Sequence, residues 1–382
     1  MTQKKLNQMT KLRFEKGDYL NVGGQPLAGT FFVNWIKLLI ENRFHIDWQF
    51  LPKAAYVTIM ILITIPFRIS EKRKFDKKLE DVKIAPLLFI VGHWRSGTTF
   101  LHYLMGQDKG LAYVSTFETM TPGVFLGSEK MFKGIVKNHL PEKRPMDDLE
   151  MEADLPYEEE YAIANLSPYS FYHGWYFPRR IDHYFKQQVT FEGDENETIE
   201  KWRQVYSYFL KKITYKNKGK RIMLKSLVNT GKIKLLLEMF PDAKFIHIYR
   251  NPYKVYFSTW KLYKKILPMF SFQHVKIEQF DKSIIKFYKN LYTKYFEEKK
   301  LIPKENLVEI RYEDFVKKPV KTLESVYKNL GVSGFEEAKP AFEKFVRKHK
   351  NYKPDTYNLD ERTKKKIYKE WEFTFKEFGY TE

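Results

Sequence analysis

Apolar positions fall into three regimes along the chain. Up to about residue 85 they gather in two stretches of helical character. Phe31, Phe32, Trp35, Ile36, Leu38, Leu39 and Ile40 make the first, and the uncharged residues 54–65, bracketed by Pro52 and Pro66, make the second. A helix over 54–65 reaches only ~20 Å, against ~30 Å of bilayer hydrocarbon, so it is too short to cross a membrane alone. Lys53, Arg68, Lys72, Arg73 and Lys74 flank the pair. Two readings stay open for this leader: a hairpin resting on an anionic membrane surface through residues 30–70, or two helices packed on the core.

From residue 86 short uninterrupted apolar runs alternate with helical patterns. Strands are expected at 87–91, 111–115, 221–225, 244–249 and 307–310, with helices from Thr98 and over 230–239, 252–263 and 278–298. Between about 118 and 219 the alternation breaks down in a region rich in aromatic and acidic residues. Helices close the chain over 332–382. Strands alternating with helices imply right-handed crossovers and a parallel sheet covered on both faces. The expected fold is therefore α/β, with about five parallel strands, a helical leader over 1–85 and helices at the C-terminal end. Without repeats or a low-complexity linker, one domain over 1–382 is expected, its core at 86–331.

Composition narrows the partners. The chain is 43% hydrophobic and 17% aromatic, ample for a large core, and carries a formal charge of +20. Such a balance favours anions: phosphorylated small molecules or an acidic membrane surface. Nucleic acid is not expected, because zinc spacings, an RNP-like strand and a basic helical arm are all missing. The sequence holds no cysteine, which excludes disulfides and thiolate metal sites and suits a reducing compartment. With polar first residues and no signal-peptide pattern, a cytoplasmic location is expected, peripheral to the membrane at most.

Candidate chemistry sits where the strands end. Residues 87–101 read as a buried strand, a tight loop and the first turn of a helix, which aims backbone N–H groups at one small volume. The spacing from Gly92 to Gly97 is that of a phosphate-binding loop, but Thr98 stands where the lysine of a nucleoside triphosphatase belongs, and Arg95 carries the cation instead. Glu118 follows the second strand. Lys225 and Ser226 end the third, Arg250 ends the fourth, and Arg311-Tyr312-Glu313-Asp314 follow the fifth. In open parallel sheets ligands bind outside these carboxyl ends.

Gly92-His-Trp-Arg-Ser-Gly-Thr-Thr-Phe-Leu resembles the loop that holds the 5′-phosphosulfate of 3′-phosphoadenylyl sulfate (PAPS) in sulfotransferases. Phe240-Pro-Asp-Ala-Lys-Phe-Ile-His-Ile-Tyr-Arg-Asn-Pro, with Ser258 eight residues after Arg250, resembles the 3′-phosphate motif of the same family. Leu224-Lys225-Ser226 and Arg311-Tyr-Glu-Asp-Phe with Pro319 are similar to further elements, so the resemblance covers about 86–331. It implies a metal-independent transfer of a sulfuryl group from PAPS to an acceptor hydroxyl. Arg95 and Lys225 are then the catalytic cations, and Ser96, Gly97, Thr98 and Thr99 cradle the 5′-phosphate. Arg250 and Ser258 hold the 3′-phosphate, and Tyr312 neighbours the adenine.

An acceptor hydroxyl needs a general base within hydrogen-bond reach. Glu118 is the first choice, being where glutamate-using branches of the family place theirs. His93 reads as a brace for the turn. His173 and the acidic run Glu158, Glu159 and Glu160 are further candidates, and Asn229 is able only to orient. Phe125, Phe171, Tyr172, Trp175, Tyr176 and Phe177 are expected to line an apolar acceptor pocket, which favours a sterol or lipid alcohol. The alternatives are a carbohydrate or peptide acceptor, and a P-loop kinase. The kinase requires a lysine at 98 and an acidic Mg²⁺ partner, where the chain offers Thr98 and basic strand ends.

Overall fold

A computed structural model describes residues 14–144, 149–193, 196–350 and 360–382. The expectations for the leader, insert and C-terminal helices that fall on 1–13, 145–148, 194–195 and 351–359 lie outside them. Five strands, β1 (Leu87–Gly92), β2 (Ala112–Tyr113), β3 (Ile222–Lys225), β4 (Lys244–Tyr249) and β5 (Leu307–Arg311), form one parallel sheet in the order β2-β3-β1-β4-β5. The β1–β3 register sets Ile90 beside Lys225, and the β4–β5 register sets Tyr249 beside Arg311. The basic strand ends are thereby brought to one edge of the sheet.

The apolar runs are continuous because both faces of the sheet are buried. Side chains of a strand alternate between faces. Leu87, Phe89 and Val91 join Ile222, Leu224 and Phe245 in one core, while Leu88 and Ile90 join Met223, Ile246, Ile248 and Ile310 in the other. The first core is closed by the leader and the insert, through Trp35, Val57, Ile61, Trp202 and Phe209. The second is closed by the loop helix Thr98–Met105 and the helices Pro319–Leu330 and Phe335–Lys348.

Three elements differ from expectation. The second leader helix does not stop at Pro66 but runs from Leu51 to Glu80. Its inward stripe Val57, Ile61, Thr64, Arg68, Glu71, Phe75 and Leu79 keeps a helical repeat straight past the proline. Pro66 lies on the opposite, exposed side, as does Leu62, whose carbonyl loses only the helical N–H that the proline lacks. The second strand is two residues long rather than five. The insert contains a 21-residue helix, Asn196–Lys216, that buries Trp202, Tyr206, Phe209, Leu210 and Ile213. From it Lys212 Nζ reaches Glu71 Oε1 at 2.6 Å, with both side chains buried. Glu71 Oε2 accepts the Gly127 N–H at 2.7 Å. One carboxylate therefore ties leader to insert.

Candidate active site

The turn after β1 demands conformations that only a few residue types tolerate. Gly92 and Gly97 have φ of +148° and +98°. A Cβ at Gly92 would sit 2.4 Å from the Ile248 carbonyl oxygen, and one at Gly97 would sit 2.3 Å from the Tyr312 ring. Arg95 has φ +73°, a region that costs a non-glycine residue ~1–3 kcal/mol and persists only where its surroundings impose it. They do. Ser96 donates its hydroxyl to the His93 carbonyl at 2.6 Å and its N–H to the same oxygen at 3.2 Å. Arg250 Nη1 donates to the Arg95 carbonyl at 3.1 Å, and Arg95 Nε donates to Ser258 Oγ at 2.8 Å. Thr230 Oγ1 accepts the Gly92 N–H and donates to the Gly92 carbonyl, each at 2.8 Å.

The loop forms one wall of an open cavity of about 680 Å³ at the carboxyl edge of the sheet. Arg95, Gly97, Thr98 and Thr99 line it from the loop, Arg250 and Tyr312 from the ends of β4 and β5, and Arg144, Tyr157 and Glu158 from the insert. The Arg250 guanidinium lies 4.4 Å from the centre of the Tyr312 ring, a cation–π arrangement that fixes both. Lys225, buried at the end of β3, reaches Thr99 Oγ1 at 3.4 Å and Glu158 Oε1 at 2.5 Å. Burial pulls the Lys225 pKa down, and the Glu158 carboxylate opposes that pull. The other Glu158 oxygen accepts from the Tyr172 hydroxyl. Arg95, Arg144 and Arg250 and a helix N-terminus thus line the cavity, with Lys225 behind Thr99 and Glu158 the one carboxylate among the described lining residues, an arrangement suited to a multiply charged anion.

Not every residue singled out in the sequence faces this cavity. Ser96 spends its hydroxyl inside the turn, and Ser258 is held beneath Arg95. Glu118 is the third residue of the helix Thr116–Met120 and completes a capping box. Its Oε2 accepts the Ser115 N–H at 2.7 Å, and Ser115 Oγ accepts the Glu118 N–H at 3.3 Å. Its Oε1 lies 2.9 Å from Lys216 Nζ. Both oxygens are engaged and neither lines the cavity, whereas Glu158 does.

The rest of the acidic run is buried rather than solvated. Glu159 accepts from Asn229 Nδ2 (2.7 Å), the Tyr206 hydroxyl (3.1 Å) and the Lys225 N–H (3.1 Å), and burial pushes its pKa up to about 7. Asn229 is therefore committed to Glu159. Glu160 accepts from Ser170 Oγ at 2.7 Å. Burial lowers the pKa of both His93 and His173 to about 4. His93 lies behind the turn against Tyr288 and Tyr292, and His173 faces the carbonyls of Ala164 and Pro168.

A second cavity, of about 1020 Å³ and mostly apolar, lies between leader and insert. Tyr56, Met60, Val124, Phe132, Ile135 and Phe270 are among its walls, and Tyr157 lines both cavities. Of the aromatics expected around an acceptor, Trp175 alone lines either of these two cavities, the charged one. Phe125, Phe171, Tyr172, Tyr176 and Phe177 are buried in the core. Arg144, Tyr157 and Thr230 were missed by sequence reasoning. Arg144 and Tyr157 sit in irregular backbone, where periodicity gives no signal. Thr230 follows the quoted Lys225-Ser226 motif, the one hint that its loop touches the site.

Residues 86–337 match the model of a sulfotransferase family. The chain is 31% identical over 357 residues to the omega-hydroxy-beta-dihydromenaquinone-9 sulfotransferase Stf3 of Mycobacterium bovis and to that of Mycobacterium tuberculosis, covering 92% of this chain and 90% of each relative. Its fold is similar to crystal structures of sulfotransferase STF1 from M. tuberculosis (TM-score 0.63, 14% identity, covering 97% of this chain and 98% of that one) and of STF9 from Mycobacterium avium (TM-score 0.65, 15% identity, covering 92% and 97%). Family match, long-range identity and fold agree, and the chain belongs to the sulfotransferase family.

Proposed function

We propose that this sulfotransferase moves a sulfuryl group from PAPS to the hydroxyl of a hydrophobic alcohol of the lipid or sterol class. The observation that carries the proposal is the Tyr157 ring, which stands in the wall of both the cation-lined cavity and the larger apolar one. A charged donor and a greasy acceptor would meet there. The relatives' named acceptor, a hydroxylated menaquinone, supports an apolar acceptor ending in a hydroxyl. Membrane contact through residues 30–70 belongs to the same reading.

The donor supplies an electrophilic sulfur and a phosphate leaving group. As the acceptor oxygen bonds to sulfur, the bond from sulfur to the 5′-phosphate oxygen breaks, and adenosine 3′,5′-bisphosphate departs. Arg95, Lys225 and the N–H groups of residues 97–99 balance the charge growing on that phosphate. Arg250 and Ser258 hold the 3′-phosphate, and Tyr312 supports the adenine. Glu158 takes the acceptor proton in place of Glu118, because Glu158 lines the cavity while the Glu118 oxygens are engaged elsewhere, one by a helix cap and one by Lys216. Lys225 and Tyr172 orient it.

Calorimetric titration with adenosine 3′,5′-bisphosphate and ATP, without Mg²⁺, tests the donor. Selective binding of the bisphosphate is expected, and Arg250→Ala should weaken it about tenfold to a hundredfold, the loss of one charge-assisted contact. Equal affinity for ATP would refute the assignment. Labelled PAPS offered with sterols, hydroxylated lipids, sugars and peptides then tests the acceptor, and preferential labelling of a sugar or peptide would overturn it.

A further inference from the structure

We infer that the outer face of the leader docks on an anionic lipid bilayer and presents the mouth of the apolar cavity to the leaflet. The inference rests on the acceptor reading above only for what enters that cavity.

The helix Leu51–Glu80 is apolar on its outer side as well as its inner one over its first half, and its inner side also takes up polar groups. A helix on the surface of a globular protein turns its apolar stripe inward and its polar stripe outward. Here the inward stripe carries Lys53, Thr64, Arg68 and Glu71. Lys53 Nζ donates to the carbonyls of Pro268 and Met269 at 2.7 and 2.9 Å, Arg68 donates to those of Gly29 and Thr30, and Glu71 pairs with Lys212. The outward stripe is Ala55, Ile59, Leu62, Ile63, Pro66 and Ile69, all exposed. Residues 55–69 extend ~21 Å along the axis, too far to be scattered surface leucines and isoleucines. The partners that Lys53, Arg68 and Glu71 find in the core hold the helix in this orientation.

Neighbouring elements extend the patch. Trp35 Nε1 donates to Thr58 Oγ1 at 3.1 Å, which pins the helix Phe32–Glu41 alongside and leaves its Phe32, Val33 and Ile40 outward. On the other flank, Phe67 meets Phe132 edge-on at 5.2 Å. The helix Glu129–His139 is thereby set beside the patch, with Met131 and Ile135 exposed. Ile135 also lines the apolar cavity, so the patch and the cavity mouth are one continuous surface.

Charge complementarity selects the bilayer as the occupant. The apolar stripe runs directly into Lys72, Arg73, Lys74, Lys77 and Lys78, all exposed, in a chain of formal charge +20. Insertion of an apolar face with basic residues at the headgroups is how interfacial helices bind anionic lipid. The helix Leu51–Glu80 lies within a segment long and apolar enough to cross a membrane. Its inward stripe is built into the core, however, so in this fold it lies on a bilayer rather than through it.

Flotation with vesicles, without PAPS, tests the surface directly. The full chain is expected to float with vesicles of equal parts phosphatidylcholine and phosphatidylglycerol and much less with phosphatidylcholine alone. The combined variant Ile59→Glu, Leu62→Glu, Ile69→Glu touches no cavity-lining residue and should lose roughly a hundredfold in vesicle affinity. It should still bind adenosine 3′,5′-bisphosphate like the wild type, which shows that it is folded. Lys72→Glu, Arg73→Glu, Lys77→Glu should remove the preference for anionic lipid. No flotation by the wild type, or equal flotation by the first variant, would overturn the inference. A wild-type dimer in light scattering that the same variant converts to monomer would overturn it in favour of a second copy of the chain. Flotation by a wild type that fails to bind the bisphosphate would support docking while refuting the donor assignment.

Discussion

Replacing Glu158 by glutamine separates a catalytic carboxylate from a merely buried one. The change keeps the side chain's size and leaves an amide oxygen to accept from Lys225 and Tyr172, but it removes the negative charge and the ability to take a proton. A positioned general base contributes ~10²–10⁴ in rate, so kcat should fall at least a hundredfold. Glu158 is also the partner of the buried Lys225, 2.5 Å away. Breaking such a pair outright costs ~3–5 kcal/mol, and the retained amide contact should keep the loss at or below the lower end. Binding should move the opposite way. The cavity loses the one carboxylate that the described residues place on its wall while Arg95, Arg144, Lys225 and Arg250 remain, so adenosine 3′,5′-bisphosphate should bind several-fold tighter. Initial rates at saturating PAPS, thermal melting and calorimetric titration with the bisphosphate read the three effects separately. Glu118→Gln is the control: it weakens a helix cap worth ~1 kcal/mol and should leave kcat within about twofold. If Glu118→Gln abolished turnover while Glu158→Gln retained it, the reasoning would be refuted.

Gly97→Ala should cripple nucleotide binding and cost a few degrees of Tm, since the new methyl needs both a left-handed φ and space held by the Tyr312 ring; unchanged bisphosphate affinity would contradict the close packing at that turn. Glu159, held at about pKa 7 by burial, keeps its proton in the folded state between pH 4.5 and 7, where the unfolded chain has released it. Stability from urea midpoints should therefore fall as pH rises through that window and level off above it, and Glu159→Gln should remove that part of the slope.

The sheet was legible because three of its strands, β1, β3 and β4, are buried on both sides and so appear as largely apolar runs. The expected 244–249 coincides with β4, and 87–91 misses β1 by only Gly92. β2 was overestimated because only Ala112 and Tyr113 pair with β3; beyond them the backbone turns to form the cap at Ser115. The site was legible where side chains sit at strand ends or in a turn with steric demands, as at Gly97, Arg95, Lys225 and Arg250. It was illegible at Arg144 and Tyr157 of the insert, which reach the cavity through tertiary packing, and Glu158 stood out only as one of three candidates in an acidic run. Glu118 shows the limit of reasoning from position alone. A glutamate three residues after a serine is a capping-box pattern, and that local demand took one oxygen while Lys216 of the insert took the other. The helix Asn196–Lys216 did leave a trace in its spacing of Trp202, Tyr206, Phe209, Leu210 and Ile213, obscured by the irregular acidic stretch before it.

The Tyr157 ring, common to the walls of both cavities, has a consequence for binding order. A partition shared by two chambers makes their occupancies interdependent whenever a ligand on one side shifts it. Thermodynamic reciprocity then requires each ligand to alter the other's affinity by the same factor. On the proposed reading the side chain at 157 does more than shape a pocket: it carries coupling free energy between donor and acceptor, and Tyr157→Ala is expected to change how much each ligand alters the other's affinity.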